Sequence, residues 1–247
     1  MASDSKPLAL LVLIHTKSKE KREKLVALNA SSQAFLRDPS TQHPTRTVFA
    51  PTTRPKAQLG MVPAGENETL LGFMEIWTSP AAFAAVQKKP EFKAFHSTVV
   101  KEGLFDHAKD MQITEWTPAA GFVARKGEKE SPKAEIVMLA KFVLKEENLD
   151  ADRDGLVGVL GKFCDWVEQN ESGTLTYHVL TSQKSPTEVL MFERYKDLPA
   201  LGVHGKTAEF KGTGRFIQGR KTVLSEWTEL DGSFVSNTPG GAGQSKL

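Results

Sequence analysis

The chain has 247 residues, and its 32 Lys and Arg side chains nearly balance its 30 Asp and Glu side chains. This length suits two domains of about 100 residues each, and the balanced charge gives no electrostatic reason to expect nucleic acid or a membrane surface as a partner. The single cysteine, Cys164, excludes disulfides within the chain and cysteine-rich metal sites. The spacing of the six histidines suggests no metal site either.

The first half of the chain predicts the element order βαββαβ. Its apolar runs and helical periodicities predict strands over 8–14, 43–50, 69–77 and 110–117 and helices over 18–36 and 79–99. The run over 8–14 is far too short to span a bilayer. A long loop rich in Pro, Thr and Gly covers residues 51–67, where we expect a binding lid or a mobile segment.

The second half predicts the same order again. We expect strands over 134–144, 173–182, 187–195 and 220–228 and helices over 151–170 and 198–211. Two domains, 8–117 and 134–230, are therefore predicted between an N-terminal tail over 1–7, a linker over 118–133 that mixes Pro, Gly and charges, and a flexible Gly- and Ser-rich tail over 231–247.

The two halves are copies of one unit. Residues 74–95 align without a gap on residues 192–213, with six identities in the 22 positions. Each copy later ends a strand in Glu-Trp, at Glu115-Trp116 and Glu226-Trp227. A repeat of this length determines the architecture of the whole chain.

The predicted fold class is α+β, with two ferredoxin-like βαββαβ domains. The strand over 69–77 is apolar on both faces, since Leu71 and Phe73 have one parity and Met74 and Ile76 the other. Helices can cover only one face of each antiparallel sheet. We therefore expect the two sheets to pack face to face as a pseudo-dimeric α/β barrel within one chain, with an apolar cavity between them.

The last three residues, Ser245-Lys246-Leu247, match the tripeptide that the peroxisomal import receptor reads. The Gly-rich tail before them would leave the tripeptide accessible. We therefore expect the peroxisomal matrix as the location, or the cytoplasm if the match is fortuitous.

Two segments of the second half carry a resemblance to a known family. Glu171-Ser-Gly173-Thr-Leu-Thr-Tyr177 is similar to its E-x-G-x-x-x-Y strand, and the segment from Glu193 to His204 is similar to E-x-W/Y-x-D/S-x-x-A-x-x-x-H. The first half repeats the second segment but has Val86 in place of the histidine. In these features the chain resembles the antibiotic biosynthesis monooxygenase family, whose members are dimeric α/β barrels. The resemblance covers about 200 residues.

The resemblance implies a cofactor-independent monooxygenase that oxidises a small aromatic or polyketide-like metabolite with molecular oxygen as co-substrate. The sequence has no flavin, nicotinamide or P-loop fingerprint, which agrees with that expectation. The alternatives are a barrel that only binds a small ligand, and a cofactor-free isomerase, cyclase or decarboxylase on the same scaffold. Association of two chains into a homodimer is left open.

The resemblance also selects candidate catalytic residues, namely His204, His96 and Tyr177. His204 occupies the family's histidine position and could act as a base near neutral pH, although that position also serves helix packing. Tyr177 follows the family's tyrosine and could equally be a core residue with a satisfied hydroxyl. His107 is expected at the surface.

Four further residues are candidates for binding substrate: Trp77, Arg46, Tyr195 and Glu193. Arg46 lies beside the 51–67 loop and could stabilise an anion. Glu193 and its counterpart Glu75 lie between apolar neighbours, where an unpaired carboxylate is costly. A structural hydrogen bond repeated in both domains is therefore the other interpretation of the two glutamates.

A haem-degrading branch of the family supplies a haem-ligating histidine from a helix similar to the one that carries His96. That branch also needs a tryptophan at the position of Val86 and an asparagine in the first strand, where residues 8–14 are aliphatic or small. Haem is therefore not expected.

Overall fold

The computed structural model of the protein describes residues 6–52 and 68–239. Most of the 51–67 loop and the tripeptide Ser245-Lys246-Leu247 lie outside the described residues. None of the described helices is both long and apolar enough to cross a membrane.

The described residues of the first repeat form four strands and four α-helices. In chain order they are β1 (Leu8–His15), α1 (Lys19–Ser31), α2 (Gln33–Leu36), β2 (Thr45–Pro51), β3 (Leu70–Trp77), α3 (Pro80–Gln87), α4 (Pro90–Lys101) and β4 (Met111–Phe122). A short 3-10 turn, Pro39–Thr41, precedes β2.

The second repeat follows the same plan and adds a short last strand. Its elements are β5 (Ile136–Val143), α5 (Leu149–Asn170), β6 (Thr174–Thr181), β7 (Glu188–Tyr195), α6 (Leu198–His204), α7 (Ala208–Ile217), β8 (Lys221–Glu229) and β9 (Phe234–Val235). The side chains of Ser79 and Asp197 cap α3 and α6 at equivalent positions, each accepting a hydrogen bond from the backbone three residues later.

The predicted helices over 79–99 and 198–211 are each divided into two. In the first repeat Pro90 begins α4, and the residue before it is held extended, so α3 ends at Gln87. In the second repeat α6 ends at His204, and the side chain of Thr207 caps the new helix α7. The break places His204 at the last position of its helix.

The eight long strands form one closed antiparallel barrel. Within each repeat the strand order is that of a ferredoxin-like sheet, β4-β1-β3-β2 and β8-β5-β7-β6. The two sheets then join edge to edge, because β4 pairs with β6 and β8 pairs with β2. The predicted α+β fold with a pseudo-dimeric barrel is confirmed, and the sheets close into a continuous barrel.

The first part of the predicted linker is a strand. Residues 118–122 continue β4 and pair with β6, with a register shift between Pro118 and Ala120. Gly121 follows the shift with φ of +88°, and a Cβ there would lie 2.1 Å from the carbonyl oxygen of Tyr177. The glycine in the predicted linker therefore allows the two repeats to approach closely.

The prediction of a flexible tail over 231–247 is wrong for the first part of that segment. Phe234 and Val235 are buried and pair with β2 as strand β9. Asn237 then exchanges hydrogen bonds with the backbone of Ala124. The two apolar residues explain the difference, since their burial offsets the conformational entropy lost by a Gly- and Ser-rich segment.

The two faces of each strand have different environments. In β3, Leu71, Phe73 and Trp77 face the helices, whereas Leu70, Met74 and Ile76 face the barrel interior. Large side chains from both repeats fill that interior, including Phe49, Trp116, Phe192 and Trp227. This agrees with the general rule that eight strands enclose a space that side chains just fill.

Candidate active site

Two cavities lie outside the barrel, one in each repeat, between the helices and the outer face of the sheet. The cavity of repeat 1 has a volume of about 620 Å³ and that of repeat 2 about 550 Å³. The sequence predicts the ligand cavity between the two sheets, but the interior space that the described residues line, at one end of the barrel, has a volume of only about 180 Å³. The reason is that the interior side chains of the two repeats interdigitate.

In repeat 2 a carboxylate and a histidine meet at the cavity wall. The Oε2 atom of Glu171 lies 2.7 Å from Nδ1 of His204 and accepts a second hydrogen bond, of 2.8 Å, from the hydroxyl of Thr174. Both side chains are at least 96% buried. Among the described residues, Nε2 of His204 has no hydrogen-bond partner. The carboxylate therefore orients the ring, with Nδ1 toward Glu171 and Nε2 on the opposite side.

The local sequence explains why these two side chains meet. Glu171 ends α5, and His204 ends α6. A Cβ on Gly173 would lie 2.5 Å from the Cβ of Ala200, so the absence of a side chain at 173 lets α6 approach the start of β6. The E-x-G pattern and the later Ala and His are therefore the residues that form one contact, between α6 and the start of β6.

A second acidic group lies beside this pair. The hydroxyl of Tyr195 donates a 2.7 Å hydrogen bond to Glu193, and both side chains line the cavity with Tyr177. Burial raises the pKa of Glu193, an effect that His204 and the Tyr195 hydroxyl oppose. Burial, followed by the Glu193 carboxylate, raises the pKa values of Tyr177 and Tyr195 well above the ordinary range. Both tyrosines are therefore neutral hydrogen-bond donors at neutral pH.

Repeat 1 places different groups at the equivalent positions. Arg46 pairs in register with Glu75, as Tyr177 pairs with Glu193. The guanidinium Nη1 atom donates to Glu75 over 2.9 Å, and the other carboxylate oxygen accepts from Nε1 of Trp77 at 3.3 Å. Repeat 1 thus has the ion pair of Arg46 and Glu75. At the equivalent register positions repeat 2 has Tyr177 and Glu193, so its carboxyl group faces no basic side chain there.

Two histidines line the same cavity of repeat 1. Nδ1 of His96, on α4, lies 2.9 Å from Nε2 of His107, so one ring donates a hydrogen bond to the other. Burial, then the neighbouring His107 and Arg46, lower the pKa of His96 to about 4. His96 is therefore uncharged at neutral pH. His107, for which the sequence predicts a surface position, is partly exposed and also lines this cavity, with its ring centroid 4.8 Å from that of Phe105.

The remaining buried histidines lie away from the cavities. The ring of His43 stacks on Trp77 with centroids 3.7 Å apart, and Trp77 lies beneath Glu75 rather than on the cavity wall. His178 lies on β6 next to Tyr177 and faces the barrel interior. Burial lowers the pKa of His178 to about 4, so this ring too is neutral.

The structure therefore divides the seven candidates between two sites. His204, Tyr177, Tyr195 and Glu193 surround the cavity of repeat 2, whereas Arg46 and His96 line that of repeat 1 and Trp77 supports Glu75. Sequence reasoning missed the pairing of Glu171 with His204, although both residues belong to the quoted motifs. It also missed His107, which carries no motif signal. The described residues contain no group of three or more His, Cys, Asp or Glu side chains placed to hold a metal ion.

Comparison with known proteins is consistent with this geometry. The model of the family described as antibiotic biosynthesis monooxygenase matches residues 160–215, which include α6 and most of the repeat 2 cavity. A search of curated proteins finds no match.

Solved structures similar to the chain share its two-repeat plan. A candidate monooxygenase from Lactobacillus acidophilus superposes with a TM-score of 0.71 at 14% identity, covering 93% of this chain and 99% of its own. A candidate monooxygenase from Fusobacterium nucleatum gives 0.65 at 16% identity, covering 96% and 97%. An anthrone oxidase-like protein gives 0.54 at 12% identity, covering 93% and 94%. Residues 160–215 therefore match the antibiotic biosynthesis monooxygenase family, and the chain as a whole shares the fold of these solved structures.

Proposed function

We propose that the chain is a cofactor-independent monooxygenase that oxidises a small aromatic, polyketide-like metabolite in the cavity of repeat 2. The observation that carries the proposal is the Glu171–His204 pair, in which His204 lines an apolar cavity of about 550 Å³ and its buried Nε2 has no hydrogen-bond partner among the described residues. Carboxylate-oriented histidines are effective general bases. The monooxygenase-type scaffold supports oxygenation as the reaction class.

The reaction begins when His204 removes an acidic C–H or O–H proton from the bound aromatic molecule. The resulting anion, whose negative charge is delocalised onto ring carbon, supplies the electrons to dioxygen. For an activated ring CH₂ group, the balanced reaction converts CH₂ and O₂ into C=O and water. One oxygen atom enters the substrate, and both substrate hydrogens leave in the water.

The other polar groups of the cavity would hold the oxygen substituents of this substrate. Tyr195 already donates to Glu193, and Tyr177 lies within 5.1 Å of the His204 ring, measured between ring centroids. Neutral tyrosine hydroxyls can donate hydrogen bonds to an oxyanion that develops on the substrate. The surrounding Met138, Leu160 and Phe163 make the cavity apolar, which strengthens these interactions.

Oxygen uptake with a panel of anthrones and hydroquinones tests the proposal. His204→Gln is expected to lower kcat/KM by about 100-fold or more, because a positioned base contributes roughly that much. Glu171→Gln is expected to lower kcat with little change in KM, since the ring loses its orienting carboxylate. His178→Gln is the matched control, because it alters a buried histidine on β6 that faces the opposite side of the sheet.

Oxygen uptake that persists unchanged in His204→Gln would remove the base from the mechanism. Turnover of the panel without oxygen consumption would favour the isomerase, cyclase or decarboxylase alternative. Tight binding without turnover would favour the barrel that only binds ligand.

The absence of a bound cofactor and the peroxisomal location are further parts of this proposal. An absorption spectrum of the active purified protein tests the first, since flavin or haem would absorb above 350 nm in amounts on the order of one per chain. Import of a fluorescent fusion ending in Ser245-Lys246-Leu247, compared with a fusion lacking Leu247, tests the second.

A further inference from the structure

The cavity of repeat 1 is as large as that of repeat 2 and differs in chemistry. We propose that it is a separate binding site for a small aromatic carboxylate, with Arg46 as the anchor for the anion. This inference concerns a different cavity from the proposed oxygenation and does not depend on turnover.

The walls of this cavity suit an aromatic molecule. Six phenylalanine side chains are among its lining residues, namely Phe35, Phe73, Phe83, Phe92, Phe95 and Phe105. Aromatic rings pack favourably edge to face against one another. A volume of about 620 Å³ lies in the range of small-molecule sites and can hold a ligand of three fused rings.

Arg46 provides a positive group on the sheet side of this space. Its side chain is only 11% exposed, and the guanidinium carbon lies 4.9 Å from the centre of the Phe73 ring. Nη1 donates to Glu75, and the buried Nε has no hydrogen-bond partner among the described residues, so the ion pair uses only part of the five N–H donors of the guanidinium. The guanidinium therefore retains donor capacity for a second carboxylate.

The charge balance of the cavity leaves this capacity available. The carboxylate of Glu75 is already held by Arg46 and Trp77. The other lining acid, Glu91, is an exposed residue of α4, where water screens its charge. The positive charge of Arg46 contributes to the lowered pKa of His96, which lies on the helix side of the cavity.

The equivalent positions of repeat 2 show that this arrangement is specific to repeat 1. Tyr177 occupies the register position of Arg46, and Val86 occupies the aligned position of His204. Repeat 1 therefore has an anion-binding group without the carboxylate-oriented base. The two cavities are suited to two different tasks, binding in the first and proton removal in the second.

Fluorescence titration of the full chain with anthracene-2-carboxylate and the uncharged 2-(hydroxymethyl)anthracene tests the proposal. The wild-type chain is expected to bind the carboxylate at least about tenfold more tightly than the alcohol, the size of one charge-assisted hydrogen bond. Arg46→Tyr, which copies the residue of repeat 2, is expected to abolish this preference and to leave the affinity for the alcohol within about twofold.

Two further variants control for misfolding of Arg46→Tyr and for binding in the cavity of repeat 2. If Arg46→Tyr fails to fold, the double variant Arg46→Gln, Glu75→Gln removes both members of the buried pair together and makes the same prediction. Gly214→Phe narrows the cavity of repeat 2, because Gly214 lines it and its Cβ position is open. This variant should leave binding of the carboxylate unchanged.

Equal affinities of the wild-type chain for the carboxylate and the alcohol would overturn the proposal. So would a preference that survives loss of Arg46, or one that Gly214→Phe abolishes, since the latter places the site in repeat 2. Oxygen uptake is measured separately with His204→Gln, so failure of either proposal is distinguishable from failure of the other.

Discussion

At the scale of single residues, Glu75 and Glu193 occupy equivalent positions of the two repeats but have different partners. Both face the helices at the same point of their sheets, and both lie close to an aromatic side chain two residues later. Glu75 also binds the guanidinium of Arg46, whereas Glu193 has the phenol of Tyr195 as its hydrogen-bond donor. Only the first is compensated by a full positive charge.

Substitution of the two glutamates should therefore change stability in opposite directions. Burial raises the pKa of Glu193, so folding takes up a proton between the unfolded and the folded pKa. Stability of the wild-type chain falls as the pH rises through that window. Glu193→Gln keeps an acceptor for Tyr195 and avoids this loss, and should raise Tm at pH 8 by about 2–4 °C, or roughly 1 kcal/mol, but not at pH 4.

Glu75→Gln is the control for this prediction. It leaves Arg46 as a buried charge without its carboxylate, which is expected to destabilise the chain by about 3 kcal/mol. Thermal unfolding of both variants, followed by circular dichroism from pH 4 to pH 8, is the measurement. A Glu193→Gln variant that is less stable than wild type throughout the range would contradict the assignment of Glu193 as an uncompensated acid.

The different outcomes for these residues also show what sequence patterns can predict. The family resemblance selects Glu193, Tyr195, Tyr177 and His204 as candidates, and the structure brings all four to one cavity. The ion pair of Arg46 with Glu75 depends on the register between β2 and β3, and the contact of His96 with His107 depends on a loop. Neither is encoded in the spacing along the chain.

At the scale of elements, β9 is the main departure from the predicted organisation. It turns a segment that composition describes as a tail into the partner of β2. Phe234 packs against His43 and lies under the guanidinium of Arg37, with a carbon-to-centroid distance of 5.0 Å. The backbone of Ser131 in the linker donates to the carbonyl of Val235 at 2.8 Å. This strand therefore fastens the linker to the first repeat.

Phe234→Ala is expected to destabilise the chain by about 3 kcal/mol, because it removes a buried aromatic ring and leaves a cavity beside His43. Phe216→Ala is the matched control, since Phe216 is 40% exposed on α7, and its loss should change stability by at most about 0.5 kcal/mol. Urea unfolding gives both values. Equal effects of the two substitutions would show that β9 contributes nothing specific to the fold.

The order of the elements could be predicted because each strand and helix has its own hydrophobic period. The breaks after Gln87 and His204 have local signals, Pro90 and the capping residue Thr207, which the helical period alone does not include. The extension of β4 through the linker and the pairing of β9 depend on contacts between distant segments, which override the local preference of Pro-, Gly- and Ser-containing stretches.

At the scale of the whole molecule, the barrel closes because each repeat completes the sheet of the other. The edge strand β6 of repeat 2 pairs with β4, and its other edge strand β8 pairs with β2. The interior residues of both repeats then form one hydrophobic cluster, in which Phe49 of repeat 1 contacts Trp227 of repeat 2 edge to face, with centroids 5.1 Å apart. The inner face of each sheet is therefore apolar and is covered by the other sheet.

An isolated repeat 2 is therefore expected to associate with a second copy. A fragment of residues 134–230 exposes both sheet edges and the apolar inner face, and β8 and β6 of a second copy can take the places of β4 and β2, which the fragment lacks. Size-exclusion chromatography with light scattering should show a dimer with the β-sheet content of the intact barrel. Trp227→Arg places a charge in the buried inner face and should prevent dimerisation, whereas the exposed substitution Phe216→Ala should not. A stable, folded monomer of this fragment would show that closure of the barrel is not what holds each repeat together.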